Sequence, residues 1–104
     1  MVGALSALAH PTRLEAFRAL VRHERDGLAA GELHLALAVP QSTMSAHLAV
    51  LERAGLVRTE RRSRSIIYRA EIETLRDLMI FLAKDCCQGR AELCQPLLAE
   101  LTCC

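Results

Sequence analysis

Apolar residues recur along most of this chain with a helical period, give way to two short stretches of strand character after Gly55, and then return to the helical period. Leu5 and Leu8 predict a short helix over residues 1–9, too short to be stable unless it packs on something. His10-Pro11-Thr12 reads as a break and restart, because proline is tolerated in a first helical turn and pushes the residue before it out of the α region. The next helix is expected from about Pro11 to Arg25, with Leu14, Phe17, Leu20 and Val21 on its inner face and Arg13, Arg18, Arg22 and Glu24 in water. Asp26-Gly27 is a turn signal that ends it. A short helix over Ala30 to Leu37 and a tight connection at Val39-Pro40-Gln41-Ser42 lead into a third, Gln41 to Ala54, with Pro40 and Ser42 as its start and Gly55 as its stop. Met44, Leu48 and Leu51 face inward at i, i+4 and i+7, which leaves Gln41, Ser42, Thr43, Ser45, Ala46 and His47 on the outer or N-terminal side.

Leu56 to Arg62 and Ser65 to Arg69 suit two strands around a Ser63-Arg64 turn, a β-hairpin. From Ile72 the stripe Leu75, Leu78, Met79 and Leu82 predicts another helix ending near Cys86 to Gly89, and Leu93, Leu97 and Leu101 a last one over Ala91 to Leu101, bent at Pro96. The expected fold is mainly α with a β-hairpin wing, in the order α-α-α-α-β-β-α-α, as one domain over residues 1–104. At 104 residues a partner subunit would help to bury apolar surface. The composition, 52% hydrophobic with one Tyr, two Phe and no Trp, points to a helical core of Leu, Ala, Val and Ile. No apolar run reaches the length of a membrane span and the N-terminus has no basic start, so a cytoplasmic protein without membrane contact is expected.

Charge changes this picture. Residues 53–69 hold six arginines (Arg53, Arg58, Arg61, Arg62, Arg64, Arg69) against one acid, Glu60, so a chain of net charge +1 concentrates +5 there and carries −4 elsewhere. Two short helices joined by a tight turn, the second bearing short polar side chains at its start, meet the needs of helix-turn-helix recognition of a DNA major groove. Ser42, Thr43 and Ser45 can bond base edges or phosphates without holding the helix away, and Gln41 and His47 reach further. Arg61, Arg62 and Arg64 at the hairpin can enter a minor groove or neutralise phosphates. The competing reading, an α+β domain with a merely solvated polar helix, leaves the +5 segment without an anionic partner. No CxxC motif or cofactor loop supports an enzyme.

All five cysteines, Cys86, Cys87, Cys94, Cys103 and Cys104, lie in the last nineteen residues. An odd number, with two adjacent pairs and no export signal, favours thiol or metal chemistry over a disulfide framework. His10, His23 and His34 read as capping, structural or surface residues.

Residues 9–14 (AHPTRL), 41–57 (QSTMSAHLAVLERAGLV) and 66–70 (IIYRA) together resemble the ArsR/SmtB family of metal- and metalloid-responsive winged-helix repressors. The resemblance implies a homodimer with paired recognition helices, dimer contacts from residues 1–9 and 72–101, and release of double-stranded operator DNA on ligand binding. Inducer sites differ within that family. The stretch 32–36 (ELHLA) lacks the Cys-x-Cys pair that one family site uses, and Ile72 to Asp85 contains no His for the zinc site of another.

Residues 86–104 remain as the sensing segment. Adjacent cysteines on a continuous helix point about 100° apart, but unwinding at Gly89 would let Cys86 and Cys87 turn together and bring Cys94 over them. Three thiolates suit a soft ion. The arrangement is similar to that of arsenite-responsive family members with C-terminal ligands, which implies Cys86, Cys87 and Cys94 as ligands of trivalent arsenic, As(III), or in its place Sb(III) or methylarsenite. Cys103 and Cys104 stay open as auxiliary ligands, and a zinc/cadmium-responsive or thiol-redox-responsive repressor of the same fold stays open as an alternative.

Overall fold

A computed structural model describes residues 2–86 and, beyond them, residues 92, 95, 96, 99 and 100, the latter in helical conformation. The elements run α1 (Val2–Leu8), α2 (Pro11–Arg22), β1 (Leu28–Ala29), α3 (Ala30–Ala36), α4 (Gln41–Arg53), β2 (Val57–Arg62), β3 (Ser65–Ala70) and α5 (Ile72–Cys86). This is a winged helix-turn-helix, as the hydrophobic pattern predicts. The last expected helix, the break at Gly89 and the cysteines after Cys86 lie outside the described residues.

The six largest fully buried side chains among the described residues form the centre: Leu20 of α2, Leu33 of α3, Met44, Leu48 and Leu51 of α4, and Leu56 just beyond it. The helix-turn-helix is shaped by two helix ends of the same kind. At the end of α3, Val39 N–H donates to His34 O at 3.0 Å and Ala38, at φ +54°, occupies the left-handed position. At the end of α4, Leu56 N–H donates to Leu51 O and Gly55 N–H to Glu52 O, both at 3.0 Å, with Gly55 at φ +79°. Each is a Schellman closure, which satisfies last-turn carbonyls while reversing the chain. In the first, His34 braces the turn from inside, its Nδ1 lying 3.2 Å from Val39 O.

Several boundaries differ from expectation. Helix α2 stops at Arg22, not Arg25, because residues 23–26 turn back toward β3 and Gly27 N–H donates to His23 O at 2.7 Å. Helices α3 and α4 each stop one residue early, with Leu37 and Ala54 as their C-caps. Helix α4 begins at Gln41 as expected, with Pro40 as its N-cap and Ser42 as its second residue. Strand β2 starts at Val57 and β3 runs on to Ala70. The unforeseen strand β1 pairs antiparallel with β3, Leu28 opposite Tyr68 and Ala29 opposite Ile67, so the hairpin is the greater part of a three-stranded sheet of order β1-β3-β2.

On α5, Leu78 is buried and Leu75 and Leu82 are partly buried, but Met79 is exposed together with Ile80 and Phe81. Leu14, expected inside, is also exposed; with Leu8, Phe17, Val21 and Leu75 it lines an open apolar groove of about 410 Å³. No helix of the described residues is long and apolar enough to cross a membrane.

Gly27 is where the chain after α2 closes on the sheet. It has φ +70°, and a Cβ there would meet Ile67 Cγ2 at 2.5 Å and Tyr68 O at 2.8 Å, whereas one on Gly55 would meet nothing within 4 Å. Gly27→Ala should therefore lose about 2–4 kcal/mol from combined backbone strain and overpacking, and Gly55→Ala about 1–2 kcal/mol from backbone strain alone. Urea unfolding of the two variants checks this; equal losses would contradict the close approach at Gly27.

Candidate nucleic-acid interface

Helix α4 buries one face and offers the other. Met44, Leu48 and Leu51 are in the core, while Gln41, Ser42, Thr43 and Ser45 are exposed in its first two turns. Pro40 supplies no side-chain acceptor to the first turn, so its backbone N–H groups and the positive end of the helix dipole are left for an outside acceptor such as phosphate. His47, one turn on from Thr43, is partly buried. Its ring packs on that of His10, centroids 4.5 Å apart and planes at 46°, and His10 Nδ1 accepts from Thr12 N–H at 3.2 Å to cap α2. Burial lowers the His47 pKa below 6.5, and the nearby His10 and Arg13 add to the effect. This joint between α2 and α4, invisible in the sequence, makes His47 a packing residue as well as a candidate contact.

The wing sorts its arginines by direction. Arg61 and Arg64 are exposed and form no ion pair among the described residues, and Arg62 has a loose one with Glu60 at 3.7 Å. Arg64 sits in the tight turn beside Ser63, whose φ of +53° lets the two strands meet in register, Arg62 opposite Ser65. Arg58 is paired with Glu71 at 3.3 Å. Arg69 is turned inward onto Glu60 at 2.6 Å, and that hydrogen bond is the main cause holding the Glu60 carboxyl below its usual pKa. The exposed arginines without a close ion pair among the described residues are thus Arg61, Arg62 and Arg64 of the wing, the three that the sequence selects, with Arg53 exposed on the last turn of α4 and Arg58 exposed but paired. Arg13, expected in water, is partly buried, and its Nε–H donates to Ala7 O at 2.7 Å at the end of α1.

Of the candidate thiols, Cys86 is the last residue of α5, while Cys87, Cys94, Cys103 and Cys104 lie outside the described residues. His23 Nδ1 lies 3.0 Å from Ala19 O, a structural role like that of His34.

Residues 8–60, just over half of the chain, match the helix-turn-helix domain family. Among curated proteins, the chain is 42% identical over 65 residues to the biofilm growth-associated repressor of Agrobacterium fabrum, covering 62% of this chain and 53% of that one. It therefore spans about half the length of that relative. It is 33% identical over 85 residues to the transcriptional activator HlyU of Vibrio cholerae, covering 82% of this chain and 76% of that one; HlyU is also known in a structure described as reduced. Among solved structures, an ArsR-like transcriptional regulator from Rhodococcus superposes with a TM-score of 0.73 at 28% identity, over 94% of this chain and 86% of that one. A homodimeric winged helix-turn-helix DNA-binding domain from Mycobacterium bovis superposes with a TM-score of 0.63 at 25% identity, over 81% and 78%.

The lowered His47 pKa sets a pH dependence. The unfolded chain takes up the proton first as pH falls, so the folded state keeps its full stability above about pH 6.5 and loses part of it as pH falls through 6.5 toward the lower folded value. Thermal melts at descending pH should show this loss in the wild type and a flatter profile in His47→Gln; parallel profiles would exclude His47 as the source.

Proposed function

Because the chain belongs to the helix-turn-helix family, among the ArsR-type winged-helix regulators, we propose that it is a transcriptional repressor that binds double-stranded operator DNA as a homodimer and releases it when trivalent arsenic is taken up by the thiolates of Cys86, Cys87 and Cys94. One observation carries the DNA half: the exposed polar start of α4, with its uncapped amides, shares the fold with a wing whose outward side chains are Arg61, Arg62 and Arg64. The helix enters a major groove with Gln41, Ser42, Thr43 and Ser45 toward the base edges, and the wing arginines neutralise phosphate or enter the flanking minor groove.

A second subunit is supported by the apolar surface on α1, α2 and α5, where Val2, Leu5, Leu14, Ile80 and Phe81 are exposed and the 410 Å³ groove opens, and by the homodimeric relative from Mycobacterium. Two subunits related by a two-fold axis present two α4 helices to successive turns of one duplex face. Inducer sensing is supported by the confinement of all five thiols to the last nineteen residues, and three thiolates match the pyramidal three-sulfur preference of trivalent arsenic, with antimony or methylarsenite as chemical equivalents. The thiol segment continues from α5, the helix bearing exposed Met79, Ile80 and Phe81. A change of conformation in it bears on the subunit contact, and through that on the spacing of the two α4 helices. A second reading, favoured by the reduced form of HlyU, has the same cysteines pair as disulfides and release DNA on oxidation.

Gel shifts on a duplex selected by the wild-type protein, run in parallel with arsenite, methylarsenite, antimonite, zinc and peroxide, separate these readings. Cys86→Ser, Cys87→Ser and Cys94→Ser should each keep DNA binding and lose release by arsenite; unchanged release would overturn the site, and release by peroxide alone would favour the redox reading. Arg62→Ala and Arg64→Ala should weaken binding to all sequences and each reduce the slope of log K against log salt by about one.

A further inference from the structure

Arg69 stands apart from the other wing arginines. Its side chain retains 13% of its exposure, and three hydrogen bonds tie its guanidinium to the protein itself: Nε–H to Glu60 Oε1 at 2.6 Å, and Nη1–H to Arg25 O at 2.7 Å and to Glu24 O at 3.1 Å. Those acceptors belong to two different parts of the molecule. Glu60 is on β2, the neighbouring strand of the wing, while the two carbonyls belong to the turn that follows α2. The same turn is drawn tightly onto β3 at Gly27, where a Cβ would also stand 3.1 Å from Arg69 Cγ. Helix α2 in turn shares its core with α4 through Leu20. One side chain therefore ties both long strands of the wing to the body that carries the recognition helix.

From this arrangement we infer that Arg69 is a positioning residue for DNA binding: it touches no DNA, and it sets the angle of the wing so that Arg61, Arg62, Arg64 and the start of α4 meet one duplex together. The inference rests on the DNA-binding reading above. A hairpin of two six-residue strands is a soft ribbon, and the third strand of its sheet, β1, contributes two residues. Three charge-assisted hydrogen bonds across the base of that ribbon restrict how far it can swing. A lysine could not replace this contact, because a single ammonium does not present the planar fork that reaches a carboxylate and two carbonyls at once.

Because Glu60 also lies 3.7 Å from Arg62, Glu60→Gln alone is the control for freeing Arg62; the Arg69→Gln/Glu60→Gln double variant removes one positive and one negative charge and leaves the net charge of the wing unchanged. At a temperature well below its melting point, and on the duplex selected by the wild-type protein, it should bind about tenfold more weakly, with a salt slope shallower by about one for each phosphate that the wing no longer reaches. Its hydroxyl-radical footprint should lose protection in the minor groove flanking the site and keep protection where α4 lies. Arg69→Lys should fall between the double variant and the wild type, and serves as the readout if the double variant does not fold. A wild-type footprint and salt slope in a folded variant would overturn the positioning role while leaving DNA binding intact. Failure of the wild-type protein itself to select any duplex would instead overturn the DNA-binding reading, and this inference with it.

Discussion

Helix α4 has to serve two solvents at once. Met44, Leu48 and Leu51 place one of its faces in a core shared with Leu20 of α2 and Leu33 of α3, and that burial fixes the rotation of the helix about its own axis. A turn of the helix by one residue, about 100°, would expose this stripe and bury Thr43 or Ser45 without hydrogen-bond partners. The direction in which Gln41, Ser42, Thr43 and Ser45 point is therefore a result of apolar packing on the opposite side. The two Schellman closures then set where the helix begins and ends relative to α3 and β2, so the same core that holds the fold together aims the polar surface.

Much of this was legible in the sequence because the period of Met44, Leu48 and Leu51 and the punctuation by Pro40 and Gly55 are local signals. The hairpin was legible for the same reason. Strand β1 was not: two residues carry no alternation, and Leu28 and Ala29 become a strand only because β3 lies alongside. The early end of α2 also depends on that sheet, since the pull of Gly27 onto β3 decides where the helix unwinds. Arg69 illustrates a deeper limit. A count of charges records that an arginine is present but not which way it faces, and the carbonyls that hold it, those of Glu24 and Arg25, are more than forty residues away in the chain. The packing of His10 on His47 was equally hidden, because it joins the cap of one helix to the middle of another. The thiol segment is read from the placing of Cys86, Cys87 and Cys94 in the chain.

The electrostatics of the surface follow a division of labour among like residues. Arg58 and Arg69 are paired with Glu71 and Glu60, Arg58 at the surface and Arg69 largely covered, whereas Arg61, Arg62 and Arg64 cluster at the far end of the hairpin. Pairing Arg58 and Arg69 lowers the repulsion that six cations in seventeen residues would otherwise exert on the folded hairpin. The outward charge is left where a polyanion can meet it, and the chain as a whole stays close to neutral.

Helix α1 is seven residues long and is held by the burial of Ala4 and Ala7 and by the guanidinium of Arg13 on Ala7 O. A helix that short has little tendency to form by itself, and the surface it lies on includes Val50, Arg53 and Ala54 at the far end of α4. During synthesis it leaves the ribosome before any of that support exists. Its order depends on segments that follow it in the chain, through α4, so the element is made before the surface that holds it.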